Sequence, residues 1–163
     1  MNVQEIDVMG TDLTIGDEAL QSSASESGRN YLIFLIDDLK LGVDAAYVVE
    51  ILTNQMVTYL PMMPDYIQGI FNMRGQIIPV MDIRLRLGKP ALDGDSLLIV
   101  LNYDNTQLGI FVDGVDQMIE IPANALHAVP AQSAQVLVSE MCTIPDGSGT
   151  MLVLDCEQLF NHG

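Results

Sequence analysis

From residue 31 onward, the chain consists of short apolar runs rich in Val and Ile that are separated by Gly, Pro and Asp. No apolar stripe with a period of 3.6 residues continues long enough for a major helix. The pattern is typical of an all-β protein, because strands are short and turn residues separate them. It predicts strands at Asn30–Ile36, Leu39–Asp44, Val48–Leu52, Gln76–Met81, Leu97–Tyr103, Gln107–Val112, Val115–Ile121 and Met151–Leu154.

Two short helices are also predicted, each after an aspartate that can cap its first turn. Asp82 precedes Ile83–Leu87, and Asp155 precedes Cys156–Phe160. An Asp side chain can accept a hydrogen bond from a free N–H group at the start of a helix. The pair Asp37–Asp38, between the first two strands, indicates a hairpin turn instead.

The chain contains an internal duplication. Leu41–Val43 recurs as Leu108–Ile110, at an offset of 67 residues, and Ile77–Asp82 is echoed by Thr150–Asp155 at an offset of 73. The offset grows along the chain, as loop insertions would produce. A unit of about 60 residues buries only about 60% of its unfolded surface, so we expect the two copies to pack into one body. At the same offset of 67, Glu50 of the first copy corresponds to a glutamine in the second.

The duplication sets the expected domain boundaries. Residues 1–29 mix Asp, Glu, Gly and Ser and cannot bury enough apolar surface to fold, so we expect a disordered acidic tail. The first unit is expected at about 30–90 and the second at about 91–155, with a short C-terminal helix at about 156–161.

The charge balance excludes two classes of partner. The chain has 22 Asp+Glu against 6 Lys+Arg, a net charge of −16, and therefore too few cations to neutralise a nucleic-acid backbone. An anionic membrane surface would repel it for the same reason. Residues 31–89 have a net charge of −1, whereas residues 90–163 hold ten acids and no Lys or Arg. We therefore expect the second unit to meet a partner with basic residues, and association to slow as salt rises.

Neither a cofactor nor a metal site is predicted. Cys142 and Cys156 lie 14 residues apart without a His/Cys cluster, which favours a reduced cytoplasmic protein over a disulfide framework or a zinc site. A Cys–His nucleophile using His127 or His162 would lack an orienting third group. Asp93–Asp95 has no further oxygen ligands at the spacing of a calcium loop, so a solvated turn is favoured. An enzyme is consequently the least favoured class of function.

The N-terminus has no apolar run preceded by basic residues, as a secretory signal would require. Apolar runs reach about five or six residues, far below the roughly 20 that a membrane-spanning helix requires. We therefore expect no direct membrane insertion and a cytoplasmic location.

Five segments, in this order, together resemble the CheW family of bacterial chemotaxis coupling proteins: Leu41–Asp44, Val48–Ile51, Leu60–Ile70 with its two prolines and Gly69, Asn72–Asp82 and Val112–Val115. The resemblance extends from about residue 30 to the end. It implies two five-stranded SH3-like barrels, which agrees with the duplication. It also implies a non-enzymatic adaptor that binds the regulatory domain of the histidine kinase CheA and the cytoplasmic tip of chemoreceptors, with possible contacts to other CheW-like proteins in arrays.

The resemblance also implies roles for particular residues. Arg74 matches a functionally sensitive arginine of the family, and Glu50 matches the glutamate that pairs with it. If this pair is buried, loss of one partner would cost about 3 to 5 kcal/mol. If it is exposed, it is worth less than roughly 1 kcal/mol and a direct contact with a partner is the better account. The implied receptor- or kinase-binding set is Val48, Glu50, Gly69, Asn72, Met73, Arg74 and Gly75, and the implied structural motif residues are Gly42, Pro79, Asp82, Asp113, Gly114 and Val115.

Three methionines near this motif, Met62, Met63 and Met73, are expected to form an adaptable binding surface. Two alternatives keep the same fold. The chain could be an auxiliary adaptor in a pilus-motility or other chemosensory pathway, or it could compete for the kinase without passing on a signal.

Overall fold

Eleven strands and two short α-helices follow one another in the described residues of the computed structural model, which are 28–53, 55–90, 96–130 and 137–161. The strands are β1 Arg29–Ile36, β2 Leu39–Asp44, β3 Val48–Thr53, β4 Ile67–Met73, β5 Gln76–Asp82, β6 Leu97–Tyr103, β7 Thr106–Val112, β8 Gly114–Ile121, β9 His127–Ala128, β10 Val138–Thr143 and β11 Thr150–Leu154. The α-helices are α1 Ile83–Arg86 and α2 Cys156–Asn161, and two 3-10 helices lie at Ala45–Tyr47 and Ala123–Ala125.

The all-β prediction is confirmed, and each of the eight predicted strands is present. Strands β4, β9 and β10 were not predicted, because a glycine interrupts the alternation of β4 and polar residues interrupt that of β10. Both helix caps are also confirmed. Asp82 accepts a hydrogen bond from the N–H of Arg84 at 3.0 Å, and Asp155 accepts one from the N–H of Gln158 at 3.2 Å.

The strands form two sheets. The six-stranded sheet has the order β8-β1-β2-β11-β10-β9, and the five-stranded sheet has the order β3-β6-β7-β5-β4. The corresponding strands of the two copies are β1 and β6, β2 and β7, β3 and β8, β4 and β10, and β5 and β11. When each strand of the five-stranded order is replaced by its counterpart, the order becomes β8-β1-β2-β11-β10. Gly42 accordingly faces Val153 in a parallel pairing, just as Gly109 faces Val80. The sequence duplication is therefore a duplication in three dimensions.

The two copies exchange strands, and this corrects the expected division near residue 90. Strands β1 and β2 belong to the first copy in sequence, yet they pair with β8 and β11 of the second. Strands β6 and β7 complete the sheet of the first copy in the same way. Each copy therefore needs two strands of the other to cover its apolar faces, and neither half of the chain contains a complete sheet.

Three apolar clusters explain why the strands read as nearly continuous apolar runs. Tyr31 and Ile33 pack inside the six-stranded sheet, whereas Leu32 and Phe34 of the same strand pack in the large cluster between the sheets. Successive side chains of a strand point to opposite faces, so a strand buried on both faces is apolar throughout. The third cluster, which includes Phe71, lies inside the five-stranded sheet.

The five-stranded sheet curls so that its outer strands approach each other. Leu52 of β3 packs against the cluster that contains Phe71 of β4, although these strands lie at opposite ends of the sheet order. Glycine makes room inside the curled sheet, because a Cβ at Gly109 would lie 2.9 Å from the side chain of Leu98. A Cβ at Gly42 would lie 2.3 Å from the sulfur of Met151 in the other sheet.

A buried arginine connects the two sheets. Arg84 Nη1 lies 2.8 Å from carboxylate oxygens of both Asp113 and Asp37. Its Nε donates a hydrogen bond to the carbonyl of Pro90 at 2.9 Å. Asp113 donates its own N–H to Leu35 of β1 at 3.0 Å. Asp37 lies in the predicted β1–β2 turn, and the hydrogen bond from Arg84 lowers the pKa of its carboxyl group. Helix α1 is thus held against turns of both sheets.

Several expectations fall on residues outside the described ranges. The acidic tail expected at 1–29 lies there except for residues 28 and 29, and Asp93–Asp95 and His162 lie there entirely. None of the helices in the described ranges has the length and apolar character that a transmembrane span requires.

Candidate protein-interaction site

A two-residue turn presents Arg74 at the tip of the β4–β5 hairpin. Met73 pairs with Gln76, and the two residues between them, Arg74 and Gly75, have φ angles of 54° and 86°. Positive φ at both positions is the geometry of the tight turn that matches the twist of paired strands. Asn72 Oδ1 accepts a hydrogen bond from the N–H of Gly75 at 2.9 Å. The Asn-Met-Arg-Gly segment therefore encodes a fixed turn with an arginine at its tip.

Arg74 forms an ion pair with Glu50, as the family resemblance implied. Arg74 Nη1 contacts Glu50 Oε2, and the side chains are 71% and 23% exposed, respectively. Because the arginine side of the pair is solvated, the pair contributes less than roughly 1 kcal/mol to stability. It connects β3 to the hairpin at the opposite end of the sheet order. Most of the Arg74 side chain remains available for contact with another protein.

The second copy has the equivalent contact, but it joins a glutamine to an aspartate instead of a glutamate to an arginine. Gln117 of β8 corresponds to Glu50, and its Nε2 donates a hydrogen bond to Asp146 Oδ2 at 2.9 Å. Asp146 lies between β10 and β11, the counterpart of the Arg74 turn, and it also accepts from the N–H of Ser148. These hydrogen bonds lower the pKa of Asp146 to about 2, and the bond from Gln117 has the largest effect. Asp146 was not predicted as a site residue. Its partner Gln117 was noted in the sequence, because it corresponds to Glu50 at the offset of 67.

Gly69 lies directly under the chain segment that follows β3. It is buried with φ of 153°, and a Cβ there would lie 2.1 Å from the carbonyl oxygen of Thr58. Thr58 and Ile70 exchange two backbone hydrogen bonds of 2.8 Å, so the chain after β3 crosses directly over this glycine. Val48 is half-buried and packs against the cluster between the sheets. The assignment of both residues to the binding set stays a prediction.

One predicted binding residue is placed differently by the structure. Met73 is 8% exposed and packs inside the five-stranded sheet, so its expected exposure on a binding surface is wrong. The strand alternation decides this, because Met73 points to the face opposite Asn72. Met62 and Met63 are 99% and 41% exposed, as a surface role requires.

Exposed apolar side chains lie on β3, on β5 and on the segment between β3 and β4. Val49 and Ile51 are 40% and 41% exposed on the outer face of β3, on either side of Glu50, and Ile77 is 55% exposed on β5. We call the following exposed residues of this region the apolar rim: Val49, Ile51, Met56, Tyr59, Met62, Met63 and Ile77. Apolar surface of this kind marks sites of protein contact when its members are grouped.

The motif residues expected to be structural occupy the framework behind this surface. Asp82 is 3% exposed and caps helix α1, and Asp113 binds Arg84. Pro79 pairs with Ile70 across the β4–β5 hairpin. Gly114 begins β8 opposite Leu35, and Val115 packs against the cluster between the sheets.

The two cysteines are free and buried. Burial raises the pKa of both thiols, that of Cys156 to about 12. They are therefore protonated at neutral pH, which lowers their reactivity as nucleophiles. Across the described ranges, no group of three or more His, Cys, Asp or Glu residues is placed to hold a metal ion.

The family model of the CheW-like domain matches residues 30–163, which is most of the chain and includes the hairpin, the apolar rim and both sheets. The chain belongs to the CheW-like domain family. The interleaved copies described above are therefore one CheW-like domain.

Relatives of this CheW-like chain support the assignment. It is 31% identical over 138 residues to the chemotaxis protein CheW of Klebsiella aerogenes, covering 82% of each chain. It is 36% identical over 108 residues to the protein FrzA of Myxococcus xanthus, covering 65% of this chain and 67% of FrzA. The crystal structure of the scaffolding protein TtCheW from Thermoanaerobacter tengcongensis superposes with a TM-score of 0.73 at 26% identity, covering 78% of this chain and 89% of that one. These comparisons support a chemotaxis scaffold or adaptor as the general role of the CheW-like chain.

Proposed function

We propose that this chain is a non-enzymatic cytoplasmic adaptor that couples chemoreceptors to the histidine kinase CheA. The observation that carries the proposal is the exposed Arg74 at the tip of a fixed turn, paired with Glu50 of β3, a strand that also exposes Val49 and Ile51. Arginine next to apolar side chains is a common centre of protein interfaces, because it combines a planar charged group with a long apolar stem.

The pseudo-symmetry of the fold supports a role with two partners. Met118 of β8 corresponds to Ile51 at the offset of 67, and it is 55% exposed. The second copy therefore repeats an edge with an exposed apolar residue beside a hairpin, now with Asp146 in place of an arginine. Two edges of similar shape and different charge allow one chain to hold two different proteins, as an adaptor must. We assign the surface around Arg74, with the apolar rim, to the receptor or kinase. We assign the surface around Met118 and Asp146 to a kinase or another coupling protein.

A binding experiment tests the proposal. The full chain is mixed with a CheA regulatory domain and, separately, with the cytoplasmic fragment of a chemoreceptor, and co-precipitation is measured. Binding to both is expected, and Arg74→Asn should weaken one of them while leaving the fold intact, because Asn tolerates the positive φ of this position. No binding of the unaltered chain to either protein would contradict the proposal.

A second candidate function is an auxiliary adaptor in a pilus-motility or other chemosensory pathway. The 36% identity to FrzA, a relative with a name other than CheW, favours it. The two functions differ in a complementation test. Binding to CheA without restoring chemotaxis in a strain that lacks its own coupling protein would support the second function, whereas restored chemotaxis would support the first.

A further inference from the structure

A cleft of about 200 Å³ lies where the end of the five-stranded sheet meets the six-stranded sheet and helix α2. Tyr31, Asp44 and Glu140 line it from the six-stranded sheet, and Tyr103 lines it from the end of β6. Because about 10 to 15 Å³ of such volume is enough for one water molecule, the cleft has room for one planar side-chain group. None of these residues belongs to the Arg74 hairpin or the apolar rim.

The walls of the cleft combine acidic and aromatic side chains. Asp155 and Glu157, at the start of α2, add two more carboxyl groups. Tyr47 and Tyr103 form an edge-to-face pair with ring centroids 5.3 Å apart. Carboxylates attract an organic cation, and tyrosine rings bind one over their faces.

The hydroxyl group of Tyr31 marks a place for a ligand. Tyr31 is 4% exposed, yet it reaches the cleft, and its hydroxyl has no hydrogen-bond partner in the part of the chain that the structure describes. Burial, and then the charges of Asp44 and Glu140, raise the pKa of this hydroxyl, which places both carboxyl groups near it. Because the hydroxyl reaches the cleft without a partner there, a molecule bound in the cleft can donate a hydrogen bond to it.

The chain has no spare cation to fill the cleft. All six Lys and Arg residues lie in the described ranges and are engaged: Arg29, Lys40, Arg74, Arg84 and Lys89 in ion pairs, and Arg86 over the ring of Tyr66 at 4.7 Å. Arg29 also lines the cleft, where it pairs with Asp44 at 3.3 Å, and its side chain is 73% exposed. The charges of Glu140 and Glu157 are not paired with any Lys or Arg of this chain.

We propose that this cleft binds the guanidinium group of an arginine side chain presented by a protein partner. Guanidinium fits better than ammonium because it is planar, stacks on aromatic rings and donates to several acceptors at once. It can donate to Glu140 and to the Tyr31 hydroxyl while a tyrosine ring covers its face. A metal ion fits poorly, because among the described residues no three acidic, His or Cys side chains converge to coordinate one.

The test uses the full chain and blocked Gly-Arg-Gly tripeptides, with the tyrosine ring signals followed by NMR. The arginine peptide should shift the signals of Tyr31 and Tyr103 saturably. The peptide with citrulline, which has the same shape and no charge, should bind at least about tenfold more weakly, a difference of about 1.4 kcal/mol. The lysine peptide should also bind more weakly than the arginine peptide. Equal binding of arginine and citrulline peptides, or of arginine and lysine peptides, would overturn the assignment of a guanidinium site.

Two variants identify the groups involved. Glu140→Gln removes a charge at the same size, and Tyr31→Phe removes only the hydroxyl; each should weaken binding of the arginine peptide several-fold. The matched control is Asp65→Asn, which removes an exposed negative charge from a loop outside the cleft. If Asp65→Asn weakens binding as much as Glu140→Gln does, the attraction comes from the net charge of the chain and the site is refuted.

Discussion

Arg84 of helix α1 and Asp113 of the β7–β8 turn join the two sequence copies. Arg84 Nη1 lies 3.0 Å from Asp113 Oδ1 and 2.8 Å from Asp113 Oδ2. The Arg84 side chain is 10% exposed, so the contact is shielded from water. Asp37, in a turn of the six-stranded sheet, shares the same nitrogen at 2.8 Å. The relative position of the two edges proposed to bind partners therefore depends on this arginine.

Replacing Arg84 should destabilise the whole domain. Arg84→Ala removes the cation from Asp113 and Asp37, whose side chains are 24% and 42% exposed, so we expect a loss of about 2 kcal/mol in the free energy of unfolding. The control is Arg86→Ala in the same helix, which removes only the contact with the ring of Tyr66 and should cost about 0.5 to 1 kcal/mol. Urea denaturation measures both, and similar losses would show that the Arg84 cluster has no special role.

The Asp146 carboxyl group should titrate far below a normal aspartate. Its pKa is lowered from 3.8 to about 2, with the hydrogen bond from Gln117 as the largest cause. Because the folded-state pKa is below the unfolded one, its contribution to stability is complete above pH 3.8 and is lost as the pH falls through about 2. Gln117→Ala should raise the pKa of Asp146 toward 3.8, measured by NMR of the side-chain carboxyl carbon. An unchanged pKa would show that Gln117 is not the cause.

Gly69 should be far less tolerant of a side chain than Gly75. Gly69→Ala would place a Cβ 2.1 Å from a backbone oxygen at φ of 153°, so we expect a loss of at least about 2 kcal/mol. Gly75→Ala meets nothing within 4 Å and is strained only by its φ of 86°, at about 1 kcal/mol. Thermal unfolding of the two variants separates clash from backbone strain. Equal losses would mean that the segment around Thr58 moves away without cost.

Arg74 should matter for binding and little for stability. Arg74→Asn removes the ion pair with Glu50 and keeps a residue that accepts positive φ before Gly75, so stability should change by less than about 1 kcal/mol. Co-precipitation with the partner should fall markedly. A variant that binds normally would move the functional contact from Arg74 to the apolar rim, and a variant that unfolds would show that the ion pair is structural.

The acidic surface should accelerate association with a basic partner. Among the strands of the six-stranded sheet, Asp44, Asp116, Glu120 and Glu140 outnumber Arg29 and Lys40. Between about 0.1 and 1 M salt the screening length falls from about 10 to about 3 Å, so the association rate should fall steeply while dissociation changes little. Stopped-flow measurements with the partner found by co-precipitation would check this. A rate independent of salt would assign the charge to solubility alone.

The sequence by itself determined eight of the eleven strands, the helix caps and the duplication, because these follow from local alternation, turn residues and repeated segments. The Asn-Met-Arg-Gly segment was singled out from the sequence, but the hairpin that it forms was not predicted, because β4 was not recognised as a strand. Met73 was misplaced because an apolar residue in a motif can point to either face of a strand, and only the pairing of β4 with β5 decides which.

Only the tertiary structure decided how the copies combine. Repeated segments show that two units exist, but strand exchange depends on which strand edges meet over long sequence distances, such as β2 with β11. The same reason applies to Arg84, to the Asp146 contact and to the acidic cleft around Tyr31. Each joins residues that are distant in the chain, and no local pattern encodes their proximity.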